Sequence, residues 1–342
     1  MNFVTRASVA AAVCAAVVGL SGCQTNPTTG RRDLGGSGLG LSRDQEVQVG
    51  ATEAPKVTQE FGGEVQSPAL RGYIDEVGQK LKNQTEADGP SRSWTYTLLD
   101  SDVINAFALP GEKVFISRGL ADKLTSEAQL AGVLGHESGH VMARHTSKRM
   151  AETNAVGIGA AILGAIGGAV TKNDTVKSGL PALLGAGGQV YLLNHSRGEE
   201  AEADSLGMRY MTKAGYNPHG QLEVMQVLQR ASGSGGPPEW LQTHPLPATR
   251  IVSVQQELNT TYANTQGAAA AGNYGDFADR YRQRYLSLRE SEPKAPAKAK
   301  KRAALPVDGS GRVRLLAGVV AVDVIDPMTW CAVCRGNAMA GR

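Results

Sequence analysis

The residues with the clearest chemical potential in this 342-residue chain are His136-Glu137-Ser138-Gly139-His140. On a helix, residues four apart lie one turn apart on one face. The two imidazoles can then converge on one metal ion while Glu137 reaches a water beside it. Those are the working parts of a zinc hydrolase. Chance explains the pattern poorly: with six histidines in the chain, an accidental H-E-x-x-H is expected in about one such chain in 200. A catalytic zinc takes three protein ligands and keeps one position open, so one more ligand must come from another element. The acidic run Glu199, Glu200, Glu202 and Asp204 offers it. Glu200 and Asp204 are four apart and share a helix face; Glu199 has Ala203 one turn on, and Glu202 lies on the opposite side. The spacing therefore predicts Glu200 as the third ligand, with Asp204 accepting a hydrogen bond from the non-ligating N–H of His136.

The elements that must position these groups are legible around them. Ser126 and Gln129 suit a capping box, and Leu130, Val133, Leu134 and Val141 recur at helical spacing, so the metal face and an apolar stripe share one helix. Gly135 and Gly139 weaken it by about 1 kcal/mol each relative to Ala. Their expected use is close approach of another backbone beside the metal. Residues 196–213 form a second helix carrying the acidic run. Ahead of both, Ser42 with Gln45 caps an opening helix, and residues 68–83 place Leu70, Ile74, Val77 and Leu81 on one side of another. Runs at 94–99 and 113–117, with Asn105–Gly111 between them, predict a small antiparallel sheet whose edge can accept an extended peptide by strand addition. Residues 277–289 form the last helix. In Thr243-His244-Pro245-Leu246-Pro247-Ala248-Thr249-Arg250, two prolines hold the path extended and present His244 at a fixed place.

Composition bounds the partners. A net charge of +3 gives no argument for nucleic acid. Aromatics make up 5% and there are 42 glycines, which favours a helical, small-residue-rich protein over an aromatic-lined barrel. Residues 1–22 read as an export signal: Arg6, then an apolar run over 9–20 that is too short to span a bilayer comfortably. The run ends in Leu20-Ser21-Gly22-Cys23, which resembles the bacterial lipobox. Cys23 is expected to carry lipid and to become the first mature residue. Gln24 after it resembles the sorting pattern for the outer membrane, on its periplasmic face in a Gram-negative cell. Only Cys331 and Cys334 would then remain, without a disulfide framework. Residues 23–41 read as a flexible tether, 42–290 as the folded domain, 291–306 as a Pro/Ala/Lys linker and 307–342 as a tail with no assigned role. The apolar, glycine-rich stretch 155–193 reads as a buried or membrane-touching helical hairpin.

Taken together, H-E-x-x-H, then Val141, Arg144 and His145, then Ser196, Arg197, Glu200, Glu202, Ala203, Asp204 and Gly207, then T-H-P-L-P-x-T-R, resemble the gluzincin peptidases of the HtpX, CAAX prenyl protease and BepA/LoiP group. The resemblance implies an α+β, mainly helical gluzincin-type metallopeptidase domain with one zinc ion (Zn2+). Its substrates would be protein or peptide, among them misassembled envelope proteins. It says nothing firm about partner proteins. In such an enzyme His136, His140 and Glu200 hold the metal and Glu137 serves as general base. His145, His195, His244 and Arg250 are candidates to hold the developing oxyanion, with a structural hydrogen bond the stronger reading for His145 and His195. His244 has two possible jobs: oxyanion donor, or a fourth ligand that keeps the enzyme latent. The alternative is a chaperone-like or scaffold lipoprotein that keeps zinc for stability. Glu137 counts against it, because a purely structural zinc needs no base.

Overall fold

The computed structural model describes residues 24–25, 32–33, 41–86, 93–150, 194–232, 237–246, 248–265 and 273–291. The chain divides into two units, Met1–Pro293 and Lys294–Arg342, and every described residue lies in the first. The signal segment, Cys23, the apolar stretch 155–193, residues 292–306 of the linker and the tail with Cys331 and Cys334 lie outside the described residues. Within the tether, Gln24 pairs with Asp33 and Thr25 with Arg32 in a short antiparallel ladder.

Helices begin where the sequence supplies caps. Helix α1, Arg43–Glu60, opens on a complete capping box between Ser42 and Gln45. Helix α2, Pro68–Lys82, starts with the Ser67 hydroxyl accepting from Leu70 N–H and with Pro at its first turn. Its stripe of Leu70, Ile74, Val77 and Leu81 is buried in the main core with Leu98, Val114 and Ile116 of the sheet. Helix α3, Glu127–Met142, carries the H-E-x-x-H run. Its expected capping box forms by half: Ser126 Oγ accepts from Gln129 N–H, but the Gln129 side chain bonds Thr125 and Glu223 instead of Ser126. Helix α4, Arg197–Lys213, opens on a full box between Ser196 and Glu199.

The sheet has three strands, β1 Thr95–Leu99, β2 Ala106–Leu109 and β3 Lys113–Ser117. It is mixed where an antiparallel one was expected. Strand β3 lies in the middle, parallel to β1 and antiparallel to β2. The cause is a third strand inside the segment read as a connection: the chain passes from β1 to the far edge, runs back as β2, and turns at Pro110-Gly111-Glu112 to place β3 between them. Gly111 and Glu112 both have positive φ there, and a side chain on Gly111 would meet the backbone of Glu46 in α1. The outer edge of β1 is covered by a bridge from Glu64 to Leu99. Strand β2 has no second strand partner among the described residues.

Helix α3 is buried on nearly every side, with Val141 only partly covered. Its first residue, Glu127, is a fully buried carboxylate at a helix N-terminus. Such a charge is tolerated only when paired and hydrogen-bonded. Tyr73 and Tyr216 donate their hydroxyls to it at 2.7 and 2.8 Å, and Arg280 of helix α8, Ala278–Tyr281, grips both oxygens. The last helix is therefore tied to the start of α3, and it continues through a π-helical turn at Arg282–Leu286 to Ser287–Ser291.

Between α3 and α4 the backbones nearly touch. A Cβ on Gly207 would lie 2.8 Å from the amide nitrogen of His136, one on Gly135 would lie 3.1 Å from the Gly207 carbonyl oxygen, and one on Gly139 would lie 2.8 Å from that of Ala203. The helix-weakening glycines thus serve the close approach expected of them. No helix among the described residues is long and apolar enough to cross a membrane. Gly207→Ala is expected to wedge α4 away from α3, costing about 1–3 kcal/mol of stability. The unfolding midpoint and the bound metal should fall together, because Glu200 rides on α4. A variant with unchanged midpoint and metal content would show that the approach of the two backbones is not needed.

Candidate metal centre

Three elements bring their side chains to one point. Helix α3 presents His136 and His140 from adjacent turns, α4 presents Glu200 from its first turn, and His244 arrives at the end of helix α6, Glu239–Thr243. All four residues are buried, and their ligand atoms lie within 4.8 Å of one another. The separations are closer than that limit for the pairs that matter. His136 Nε2 is 3.0 Å from His140 Nε2, 3.5 Å from Glu200 Oε2 and 3.4 Å from His244 Nδ1. Glu200 Oε1 is 3.3 Å from His140 Nε2 and 2.9 Å from His244 Nδ1. For zinc bonds of about 2.0–2.1 Å, the edge of a regular tetrahedron is about 3.3 Å. These separations, 2.9–3.5 Å with Glu200 contributing through either oxygen, bracket that edge, and imidazole nitrogens with a carboxylate suit a divalent metal of zinc's type.

Around the donors lies a second layer of carboxylates and a guanidinium. Asp204 Oδ1 is 2.9 Å from His136 Nδ1, the place expected for it. Asp204 also accepts from Nε2 of Gln221, on helix α5, His219–Ala231, at 2.9 Å and from Arg250 Nη2 at 2.8 Å. Arg250 comes from helix α7, Ala248–Asn259; it further bonds the Pro245 carbonyl at 3.1 Å and pairs with Glu200. Its guanidinium is spent on holding the two carboxylates and the His244 segment. That differs from the place expected of an oxyanion donor. Glu137, beside the first ligand, accepts from Trp240 Nε1–H at 3.1 Å through Oε1, while Oε2 is buried without a hydrogen-bond partner. His244 Nε2 stands 3.7 Å from Glu137 Oε1.

The protonation states follow from this packing. Burial works against charge on His136, but the carboxylates of Asp204 and Glu200 outweigh it and hold its pKa up at about 9. Burial, with His195 and His136 nearby, keeps His140 well below the usual histidine range. Burial alone would raise Glu200 and Asp204, yet the charges of His244 and Arg250 on the first, and of Arg250 on the second, keep both carboxyls low. The site thus holds ionised carboxylates and a neutral His140. A metal would have to displace the extra proton of His136.

His136, Glu137, His140, Glu200, Asp204, His244 and Arg250 are brought together here, and Cys23, expected to carry lipid, lies outside the described residues. Glu199 is absent from the metal face because its carboxylate closes the α4 cap on Ser196 and pairs with Arg149. Glu202, read as lying opposite, does turn away from the metal but finds His145 at 3.2 Å. His145 in turn lies 2.8 Å from His140 Nδ1, Nδ1 to Nδ1. His195 packs its ring on His140 with centroids 4.0 Å apart, and its backbone N–H bonds Thr243. Sequence reasoning missed Trp240 and Gln221. Neither belongs to a spaced motif, and only the fold brings them to the site. Beside His140, a cavity is lined by Ala108, Leu109, Glu112, Val141 and Arg144, and β2, which supplies Ala108 and Leu109, has no second strand partner among the described residues.

Comparison with known proteins agrees with this geometry. The family model described as Peptidase family M48 matches residues 68–258, more than half of the chain. The chain is 31% identical over 233 residues to the beta-barrel assembly-enhancing protease of Escherichia coli strain K12, a match covering 66% of this chain and 47% of that one. It is 29% identical over 220 residues to the mitochondrial metalloendopeptidase OMA1 of Schizosaccharomyces pombe, covering 64% and 62%. The match therefore spans about half the length of the bacterial relative. The described fold, helical with a small mixed sheet, and the buried His-His-Glu-His group accord with such a domain. The chain belongs to peptidase family M48, and its 68–258 region is a metallopeptidase domain of that family.

Proposed function

We propose that this protein is a zinc-dependent endopeptidase of the bacterial cell envelope, anchored by lipid on Cys23, that hydrolyses misfolded or misassembled envelope proteins. The observation that carries the catalytic part is the tetrahedral spacing of the donors around His136, His140 and Glu200, with the unpartnered oxygen of Glu137 beside them. The envelope part is supported by the lipobox-like Leu20–Cys23 and by the name of the bacterial relative.

Zinc, when bound, supplies a Lewis acid and makes water a nucleophile at neutral pH. Glu137 Oε2 takes a proton from the attacking water and passes it to the leaving amine, while Trp240 holds Oε1. Asp204 fixes the His136 ring through Nδ1, and Arg250 keeps Asp204 and Glu200 ionised and in place. The edge of β2, unpaired among the described residues, and the cavity beside His140 suit an extended substrate backbone added as a further strand. With zinc bound, His244 would be a fourth ligand in this conformation. Its Nδ1 lies among the other donors, so it competes with the water and keeps the enzyme latent until substrate or a partner displaces the His244 side chain, with Trp240 left in place on Glu137.

Activity against a casein-type substrate, measured on zinc-loaded variants, tests this chemistry. Glu137→Gln is expected to keep zinc and lose at least about 100-fold in turnover, the usual scale of general-base assistance; near-normal turnover would remove Glu137 from the role. His244→Ala is expected to raise turnover. A fall of about 10²–10³ would make His244 an oxyanion donor instead, and no change would refute both jobs. For the anchor, mass spectrometry of the mature N-terminus should find an acylated diacylglyceryl or diacylglyceryl adduct on Cys23. A mature chain starting elsewhere, or an unmodified Cys23, would remove the lipid from this account.

A further inference from the structure

His145 lies five residues beyond His140. On a continuous helix that separation would set the two side chains about 140° apart around the axis. They nevertheless meet, at 2.8 Å between their Nδ1 atoms, with His145 fully buried. The reason is a break in the backbone. Helix α3 ends at Met142, Arg144 adopts the left-handed conformation with φ of 59°, and residues 145–150 are helical again. For a residue with a Cβ that conformation is costly, about 1–2 kcal/mol. Arg144 is held in it by α1 and the residue just before its cap: its Nε donates to Glu46 Oε1 at 2.8 Å, and its guanidinium donates to the Leu41 carbonyl at 2.5 Å. Ser147 also donates to Glu46. On its far side His145 Nε2 lies 3.2 Å from Glu202 Oε2.

The bonding pattern has one consistent direction. His140 faces the donor cluster with Nε2, so its single ring proton belongs on Nδ1 and is donated to His145 Nδ1. His145 accepts there and carries its own proton on Nε2, which it donates to Glu202. We propose that His145 and Glu202 are positioning residues of the metal centre, fixing the tautomer and ring angle of His140 as Asp204 fixes those of His136. The two metal histidines are then oriented by different means, one directly by a carboxylate and the other through an intervening imidazole. This rests on the reading of the His136, His140, Glu200 and His244 cluster as a zinc site. The Arg144 turn, pinned by Glu46, is what brings the relay into reach.

The test is zinc affinity of the full-length chain, measured by competition with a chromophoric chelator. His145→Leu removes the acceptor and is expected to weaken zinc by about 10- to 100-fold. His145→Asn keeps an oxygen acceptor near the Nδ1 position and should stay within about threefold of wild type. Glu202→Gln keeps a weaker, uncharged acceptor and should lie between the two. The visible spectrum of the cobalt-loaded chain is expected to shift with His145→Leu and to keep its wild-type form with His145→Asn, an ordering that loss of packing alone would not produce. Wild-type affinity in a folded His145→Leu, or equal losses in the Leu and Asn variants, would overturn the relay. If His145→Leu does not fold, Glu202→Gln decides, and unaltered affinity there would overturn it. A wild-type chain that takes up no zinc would instead overturn the metal reading, and the relay with it.

Discussion

The contact on which the rest depends is the near-touching of two helix backbones at Gly135, Gly139 and Gly207. Three glycines carry a cost of about 1 kcal/mol each in helix propensity relative to Ala. In return, α4 comes close enough to α3 for a short carboxylate arm, Glu200, to reach the two imidazoles. A larger residue at any of the three would have to move a backbone and not merely a side chain. Because α3 is itself packed against α2, the sheet and the Glu127 cluster, it has no freedom to yield. The geometry of the donors is thus inherited from helix packing.

That packing also buries charge, and the arrangement shows how the cost is met. Glu200 and Asp204 are ionised in a site with almost no solvent exposure, which Arg250 balances from a third helix. Arg250 also bonds the Pro245 carbonyl, so the residue that balances the carboxylates is tied to the segment that carries His244. Besides the ring of Trp240, buried in the core and bonded to Glu137, the segment is attached by Trp240 N–H to the Ile104 carbonyl at 3.2 Å, Asn105 to Glu239 at 3.0 Å, and His195 N–H to the Thr243 carbonyl at 3.0 Å. These are a few neutral or half-exposed hydrogen bonds, each worth about 1 kcal/mol net. Displacing His244 alone leaves the core intact, whereas moving Trp240, which is buried in it, or α3 or α4 would disrupt it.

How much could be read in advance follows from which interactions are local. The pairs at i and i+4, His136 with His140 and Glu200 with Asp204, are fixed by helix geometry and were legible from spacing. The caps read at Ser42 and Ser126 are equally local, the first forming in full and the second by half. Glu199 was set aside on helix-face geometry, and the structure adds that the α4 cap occupies it. What spacing could not give is whatever depends on an irregular backbone or on distant elements. Strand β2 hid inside a segment read as a connection, and it turned the sheet from antiparallel to mixed. A structural hydrogen bond was the stronger reading for His145, but that its partner is His140 depends on the left-handed Arg144, which no spacing announces. Trp240 and Gln221 reach the site from elements whose packing no local pattern specifies.

The central claim is that His136, His140, Glu200 and His244 form one closed tetrahedral shell in the resting protein. The most direct measurement is zinc K-edge X-ray absorption on the zinc-loaded, substrate-free chain, compared with His244→Ala. The account predicts three imidazole nitrogens and one carboxylate oxygen in the wild type, all at about 2.0–2.2 Å, with one imidazole exchanged for a water oxygen in the variant. Two imidazoles and a water in the resting wild type, unchanged on substitution of His244, would contradict it.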